Sequence, residues 1–435
     1  MANGRSSIVI VSILSVLVVL GGLAYFYNQN RVEKEEQPIL PAIAEGETDP
    51  AVWGEHYPRH YESYRDATEG EPVRTKYGGN DPYNKLEEFP EMNTLFAGYG
   101  FSEEYKEERG HPYAVQDIGE IDPKRKKSGA VCLHCKSPEI PGLLEKFGDD
   151  FYTMDFYEVK DKYIEHSIAC SDCHDPETMD LRITRPALRN ALAKMGKDVD
   201  KANRQEMRTL VCAQCHVEYY FKGDNKVVTY PWGESEEEMK PEQVYEYYQS
   251  GDYEGNQFVD WVHPQSDTPM LKAQHPDYEF FTNSTHQAAG VACADCHMPY
   301  IKQGNVKITS HNQKSPLTSL NESCGICHRQ GTDYLKQRVY HIQDNNYNLL
   351  KVAADRNVEA VIEIEKSLER PGADEDLIKE AQQYHRQAQW LWDWMSAENS
   401  MGFHNPEEGL NYVGKSIDYA HKAIRTAQEA RGLLQ

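Results

Sequence analysis

The sequence is short of positive charge. Of its 435 residues, 46 are Lys or Arg against 70 Asp or Glu, a formal net charge of −24. Such a chain lacks the basic face that nucleic-acid phosphates require, which excludes a nucleic-acid partner. Phenylalanine and tryptophan are sparse, 12 and 6 against 28 tyrosines, so many buried rings must bring a hydroxyl to a partner. Strand-like alternation of apolar and polar residues is scarce, which argues against a β-rich fold. No cysteine stands alone: all ten fall into five C-x-x-C pairs. What is present, 39% hydrophobic and 11% aromatic residues, suffices for a core and excludes a disordered chain.

Residues 6–30 carry no charged side chain, and Ile8–Phe26 is an apolar run. At ~1.5 Å per residue it just spans a hydrocarbon core of ~30 Å. Two readings compete: a signal peptide cleaved after Gly21-Gly22-Leu23-Ala24, or a retained membrane anchor, which the length of the run favours. Arg5 on one side, with Arg31 and Lys34 on the other, does not fix the orientation. Either reading exports the rest of the chain. Residues 31–55 are charged and aperiodic and read as a linker.

Four of the pairs are followed directly by histidine: Cys170/Cys173-His174, Cys212/Cys215-His216, Cys293/Cys296-His297 and Cys324/Cys327-His328. C-x-x-C-H is the attachment motif of c-type haem. Its thiols form thioethers to the porphyrin, and the short loop aims the next side chain at the iron. Zinc knuckles need no histidine at that fixed place, and a thioredoxin-like site needs one motif rather than five. The spacings between motifs are irregular, so this is no tandem repeat.

The first pair differs: Cys132-Leu-His134-Cys135-Lys136. One reading is a degenerate haem site, or a structural zinc pair assisted by His134. The other is a fifth haem whose axial ligand is the Lys136 amine. A lysine ligates only when neutral, so iron must displace its proton. An amine lacks the π system of imidazole and changes the electron density offered to whatever binds opposite. Thirteen histidines lie outside the motifs, enough to cap four haems and leave one iron open. Four closed haems with one open haem is the layout of a multielectron reductase. Five closed haems would make a pure electron carrier.

Taken together, these motifs resemble pentahaem cytochrome c nitrite reductase, the ammonia-forming family, over roughly residues 50–435. One C-x-x-C-K precedes four C-x-x-C-H motifs. The segments Arg109-Gly110-His111, Cys212 to Phe221, Thr268 to Pro276 and His404 to Gly409 match as well. The resemblance implies a mainly α multihaem cytochrome c fold, with five covalent haems c and calcium. It implies a loop-rich haem region over 56–330 and long helices over 331–435 that form a homodimer interface. The implied axial pairs are His174 with His311, His216 with His111, His297 with His404, and His328 with His286. Lys136 is the ligand of the haem on Cys132 and Cys135. Tyr219 and His275 face the substrate, and calcium is held by Glu218, Gln274 and the carbonyls of Tyr219 and Lys272.

The family also has an active-site arginine before the C-x-x-C-K motif. This chain is shorter there and offers Lys124-Arg125-Lys126-Lys127. Arg125 is the expected residue, with Arg109 and the neighbouring lysines as alternatives. The implied reaction takes nitrite to ammonium with six electrons and eight protons. Electrons are expected from a membrane-bound quinol-oxidising multihaem cytochrome, on the periplasmic side of the membrane. Alternatives are a pure electron-transfer cytochrome, or a related reductase of hydroxylamine or sulfite.

In the C-terminal quarter, Leu349, Val352, Ala353, Val358, Val361 and Ile362 recur at helical spacing. Pro371-Gly372 breaks this helix. A second runs to about Glu398 with Trp390 and Trp394 at i, i+4, and a third spans about Glu407–Leu434.

Overall fold

The computed structural model describes residues 15–27, 40–70, 72–122, 125, 129–250 and 256–434. Residues 8–14 of the apolar run, most of the linker, and Lys124, Lys126 and Lys127 lie outside the described residues. Residues 15–27 are helical and exposed, Val18 at 73%. Among the described residues, no helix is long and apolar enough to cross a membrane.

The fold is mainly α. Among the described residues strands occur only as three antiparallel two-stranded ribbons. Tyr220–Lys222 pairs with Val227–Thr229, Trp261–Val262 with Pro269–Met270, and Tyr300–Gln303 with Val306–Thr309. Up to residue 330 the helices are short. The cysteine motifs sit on single turns such as Ala130–Leu133, Cys170–Asp172 and Cys293–His297. One longer helix, Arg204–Ala213, delivers Cys212. Asn203 caps it by accepting from the Gln205 and Glu206 backbone N–H groups, and Glu206 closes a capping box.

Three long helices follow: α1 (Thr332–Leu368), α2 (Glu375–Ala397) and α3 (Pro406–Ala430). The α1–α2 break falls at Pro371-Gly372, where Gly372 takes φ +81°, a conformation that costs glycine little. Asp374 then caps α2, accepting from the Asp376 and Leu377 N–H groups at 3.0 and 3.2 Å. Pro406 opens α3 at a position where its missing N–H costs nothing.

Two cores result. One, built from Ala130, Leu133, Phe151, Leu188 and Trp232 among others, underlies the first three cysteine motifs. The other joins Met92, Leu95 and Phe96 to Leu350, Trp390, Trp392 and Trp394 of the helices. Trp390 and Trp394 stack edge to face at 5.4 Å. Their neighbours on α2 turn to the loops: Arg386 donates to the Pro269 and Phe258 carbonyls, 2.7 Å each, and Gln389 to the Leu95 carbonyl. The long helices thereby fix the loop that carries His275.

Candidate haem and substrate site

All ten cysteines line one continuous cavity of about 1930 Å³. None of them forms a disulfide. The motifs meet thiol to thiol. Cys135 and Cys215 are close enough to act on one another electrostatically, as are Cys212 and Cys293. The first motif therefore borders the third, and the third borders the fourth. Cys296 and Cys324 are close enough to act on one another electrostatically, as are Cys173 and Cys215. No large stretch of protein separates neighbouring motifs, as an electron relay requires.

The histidines on the cavity wall come in pairs. Ring centroids of His174 and His311 lie 6.2 Å apart, and those of His111 and His216 6.3 Å. His297 with His404 and His286 with His328 are also at 6.3 Å. A metal–nitrogen bond of about 2.0 Å, plus about 1.1 Å from nitrogen to ring centre, gives about 6.2 Å for two imidazoles capping one ion. The four pairs thus fit an iron between their rings. Two other buried histidines have local work. His263 meets the Thr94 carbonyl at 2.8 Å, and His385 meets Thr268 Oγ1 at 3.2 Å.

The first motif has a lysine in the corresponding place. Lys136 Nζ donates to both carboxylate oxygens of Glu108 at 2.7 Å. Burial works against the charged amine, but Glu108 more than offsets this and raises its pKa. His275 and Tyr219 share this end of the cavity, their rings 6.5 Å apart. Its position among cavity-wall atoms, then the Lys136 charge, lowers the pKa of the His275 imidazole, whose ring stays open to the cavity. Burial raises the Tyr219 phenol. His134 is buried against Tyr152 with neither ring nitrogen bonded. Among the described residues, three ligand atoms converge only at Asp277, Glu398 and His404, so the Cys132, Cys135 and His134 zinc alternative lacks a geometric basis.

Glu218 is fully buried, its oxygens accepting from Tyr248 Oη at 3.0 Å and the Gln274 N–H at 2.6 Å. The Gln274 amide lies 3.1 Å from the Lys272 carbonyl. Gln274 thus links the two, its backbone N–H donating to Glu218 and its side-chain amide nitrogen to the Lys272 carbonyl. The Lys272 ammonium points elsewhere, to Asp393 at 2.9 Å. Burial first, with Glu279 adding to it, pushes the Glu218 carboxyl well above its usual range. A hard cation would suit this oxygen set and relieve that burial.

Arg125 stands apart. Its guanidinium lies 3.8 Å from the Phe101 ring centre, and its charge reaches Glu108, but it is not among the residues lining the cavity. Arg109 lines the cavity and is committed to Asp117, its Nε donating at 2.7 Å.

Several organising residues were not foreseen. Arg185, 1% exposed, donates to the His134 carbonyl and the Ser137 carbonyl at 2.8 Å and to Asp172 Oδ1 at 2.6 Å. It clamps the first motif to the second. Asp172 and Asp295 each accept, at 2.8 Å, the N–H of the residue just before their motif, Ala169 and Ala292. The signal for them was available: both motifs read C-x-D-C-H. Arg185 and Glu108 had no sequence signal.

The cytochrome c552 family profile matches residues 49–432. A cytochrome c-552 of Bacteroides fragilis is 40% identical over 381 residues, covering 86% of this chain and 75% of that one. A cytochrome c nitrite reductase subunit NrfA of Nitratidesulfovibrio vulgaris is 42% identical over 409 residues, covering 86% of this chain and 77% of that one. The solved cytochrome c nitrite reductase catalytic subunit of Desulfovibrio desulfuricans superposes with a TM-score of 0.85 at 37% identity. It covers 90% of this chain and 88% of its own, and is described with two calcium sites. By motif, fold and these likenesses together, the chain belongs to the cytochrome c552 family of haem c proteins.

Proposed function

We propose that this protein reduces nitrite to ammonium at the haem bound to Cys132 and Cys135, with Lys136 as its axial ligand. The observation that carries the reading is a contrast. Four motif histidines each face a second imidazole at 6.2–6.3 Å, whereas Lys136 shares its end of the cavity with Tyr219 and His275. The bound haems supply the electrons and the nitrogen-binding iron. The chain supplies ligation, dielectric and protons.

Lys136 must shed a proton to ligate, and iron would have to displace it against Glu108, whose oxygen 2.7 Å away favours the charged amine. His275 would hydrogen-bond the substrate oxygen through its ring N–H and pass on protons it takes up from solvent, with the Tyr219 hydroxyl beside it as a second donor. Arg125 compensates negative charge from behind Glu108. Calcium at Glu218, Gln274 and the Tyr219 and Lys272 carbonyls would pin the loops carrying Tyr219 and His275 to one another. The α1–α3 helices form a homodimer interface. Val352 and Ile362 of α1 are apolar and exposed, which supports this reading. The apolar N-terminal run supports export to the periplasmic side of the membrane, with a quinol-oxidising multihaem cytochrome as donor.

Steady-state assay of nitrite, hydroxylamine and sulfite with one artificial donor tests the activity. Nitrite is expected to turn over to ammonium, and absence of nitrite turnover in protein with all five haems would overturn the reading. Chelation is expected to remove activity and added calcium to restore it. Active protein without calcium by metal analysis would remove that site from the account.

A further inference from the structure

The paired imidazoles differ in what their outer nitrogen meets. Nδ1 of His174 lies 2.9 Å from the Met179 carbonyl, and that of His311 3.0 Å from the Thr309 carbonyl. Nδ1 of His111 lies 2.9 Å from Gln313 Oε1. These acceptors are neutral. His216 and His404 face a carboxylate instead, and it is the same one. Asp277 Oδ2 is hydrogen-bonded to His216 Nδ1 at 3.4 Å, while Oδ1 stands 3.8 Å from His404 Nδ1, beyond a hydrogen bond but near enough for its charge to act on that ring.

His216 pairs with His111 and His404 with His297, so the two rings belong to different pairs. Asp277 is 8% exposed and held in place by Asn399, whose backbone N–H and side-chain amide each donate to it at 2.8 Å. Glu398 also comes within 3.8 Å of His404. Its oxygens, however, serve the Ser400 N–H and hydroxyl and the Gly402 N–H. Asp277 is therefore the buried charge common to both rings.

An imidazole whose outer N–H points at a carboxylate is a stronger donor through its other nitrogen. A stronger axial donor favours the oxidised iron and lowers the haem potential. We propose that Asp277 is a positioning residue for electron transfer: one buried carboxylate that lowers the potentials of the two haems ligated by His216 and His404 together. The inference rests on the axial pairing proposed above. The third motif borders both the first and the fourth through its thiols. One residue would thus raise the driving force for the last transfer, from the third motif's haem to the one on Cys132 and Cys135, and it lies two positions from His275.

The test is an EPR-monitored redox titration of the intact five-haem protein, as wild type, Asp277→Asn and Asn399→Ala. Asp277→Asn is expected to shift the reduction equilibrium of two haems upward tenfold or more, about 59 mV for one electron, and to leave three in place. Asn399→Ala removes one competing donor from Asp277 and is expected to move the same two downward. The same spectra count low-spin bis-imidazole haems. A wild-type count other than four overturns the pairing and this proposal with it. A count of four with unchanged potentials in either variant overturns the role of Asp277 alone. Movement of a single haem overturns the sharing.

Discussion

Arg185 in the haem region and Trp390 in α2 are each about 1% exposed, yet they are buried by different means. Arg185 is surrounded by carbonyls and by Asp172, and its neighbours are cysteine loops on a cavity wall. Trp390 stacks on Trp394 and Tyr248, and only its indole N–H, bonded to the Pro241 carbonyl at 2.7 Å, needs a polar partner. The haem region is thus a network of polar clamps around a space sized for cofactors. The helices pack through an apolar core that they share with Met92, Leu95, Phe96 and the segments around Tyr248 and Met270. The difference teaches that in one chain the C-terminal helices supply stability, while the N-terminal region is shaped by what it must hold.

Variants on either side can break or sharpen this contrast. The largest effect is expected at the substrate end. His275→Ala should cut nitrite kcat by on the order of 10²–10⁴-fold with haem content and thermal unfolding unchanged, read by steady-state kinetics and a melt. A loss of activity that tracks loss of haem would make His275 structural instead. Arg185→Ala leaves Asp172 buried without its partner, at about 3–5 kcal/mol. It should also lower haem occupancy, read by haem quantitation per protein and by denaturant titration. Trp390→Ala should cost a similar or smaller amount, about 3–5 kcal/mol, by opening the helical core, with haem occupancy unchanged. Equal haem loss in both variants would erase the distinction between the regions.

The smallest effect belongs to Glu363 on α1. Burial pushes its carboxyl up. Hydrogen bonds from Lys366 and Gln428, with the Arg431 charge, more than offset this and hold it below its usual value. A depressed carboxylate contributes stability that is present above its unfolded pKa and is lost as pH falls through the lower folded value. Acidification should therefore loosen the α1–α3 contact, and Glu363→Gln should remove about 1 kcal/mol together with that acid slope, read by melts across the acid range.

Much of this was legible in the sequence because covalent chemistry is local. A C-x-x-C-H motif declares its cofactor within five residues, and the α1–α2 break is written in Pro371-Gly372. The distal histidines were not legible from spacing. His111 meets His216, and His404 meets His297, across loops whose path depends on tertiary packing, so resemblance alone suggested them. Arg185 and Asp277 were silent for the same reason. A buried charge is recognised by its partners, and those lie far off in the chain. Arg125 shows the converse: a basic run conspicuous in the sequence places its described member on Phe101, off the cavity wall.

The central claim is that four irons are closed by imidazole pairs and one, on Lys136, is open to substrate. Low-temperature EPR of the purified five-haem protein, with and without nitrite, tests it most directly. The account predicts four low-spin bis-imidazole haems indifferent to nitrite and a fifth haem whose signal changes on adding it. Five low-spin haems, none altered by nitrite, would contradict it.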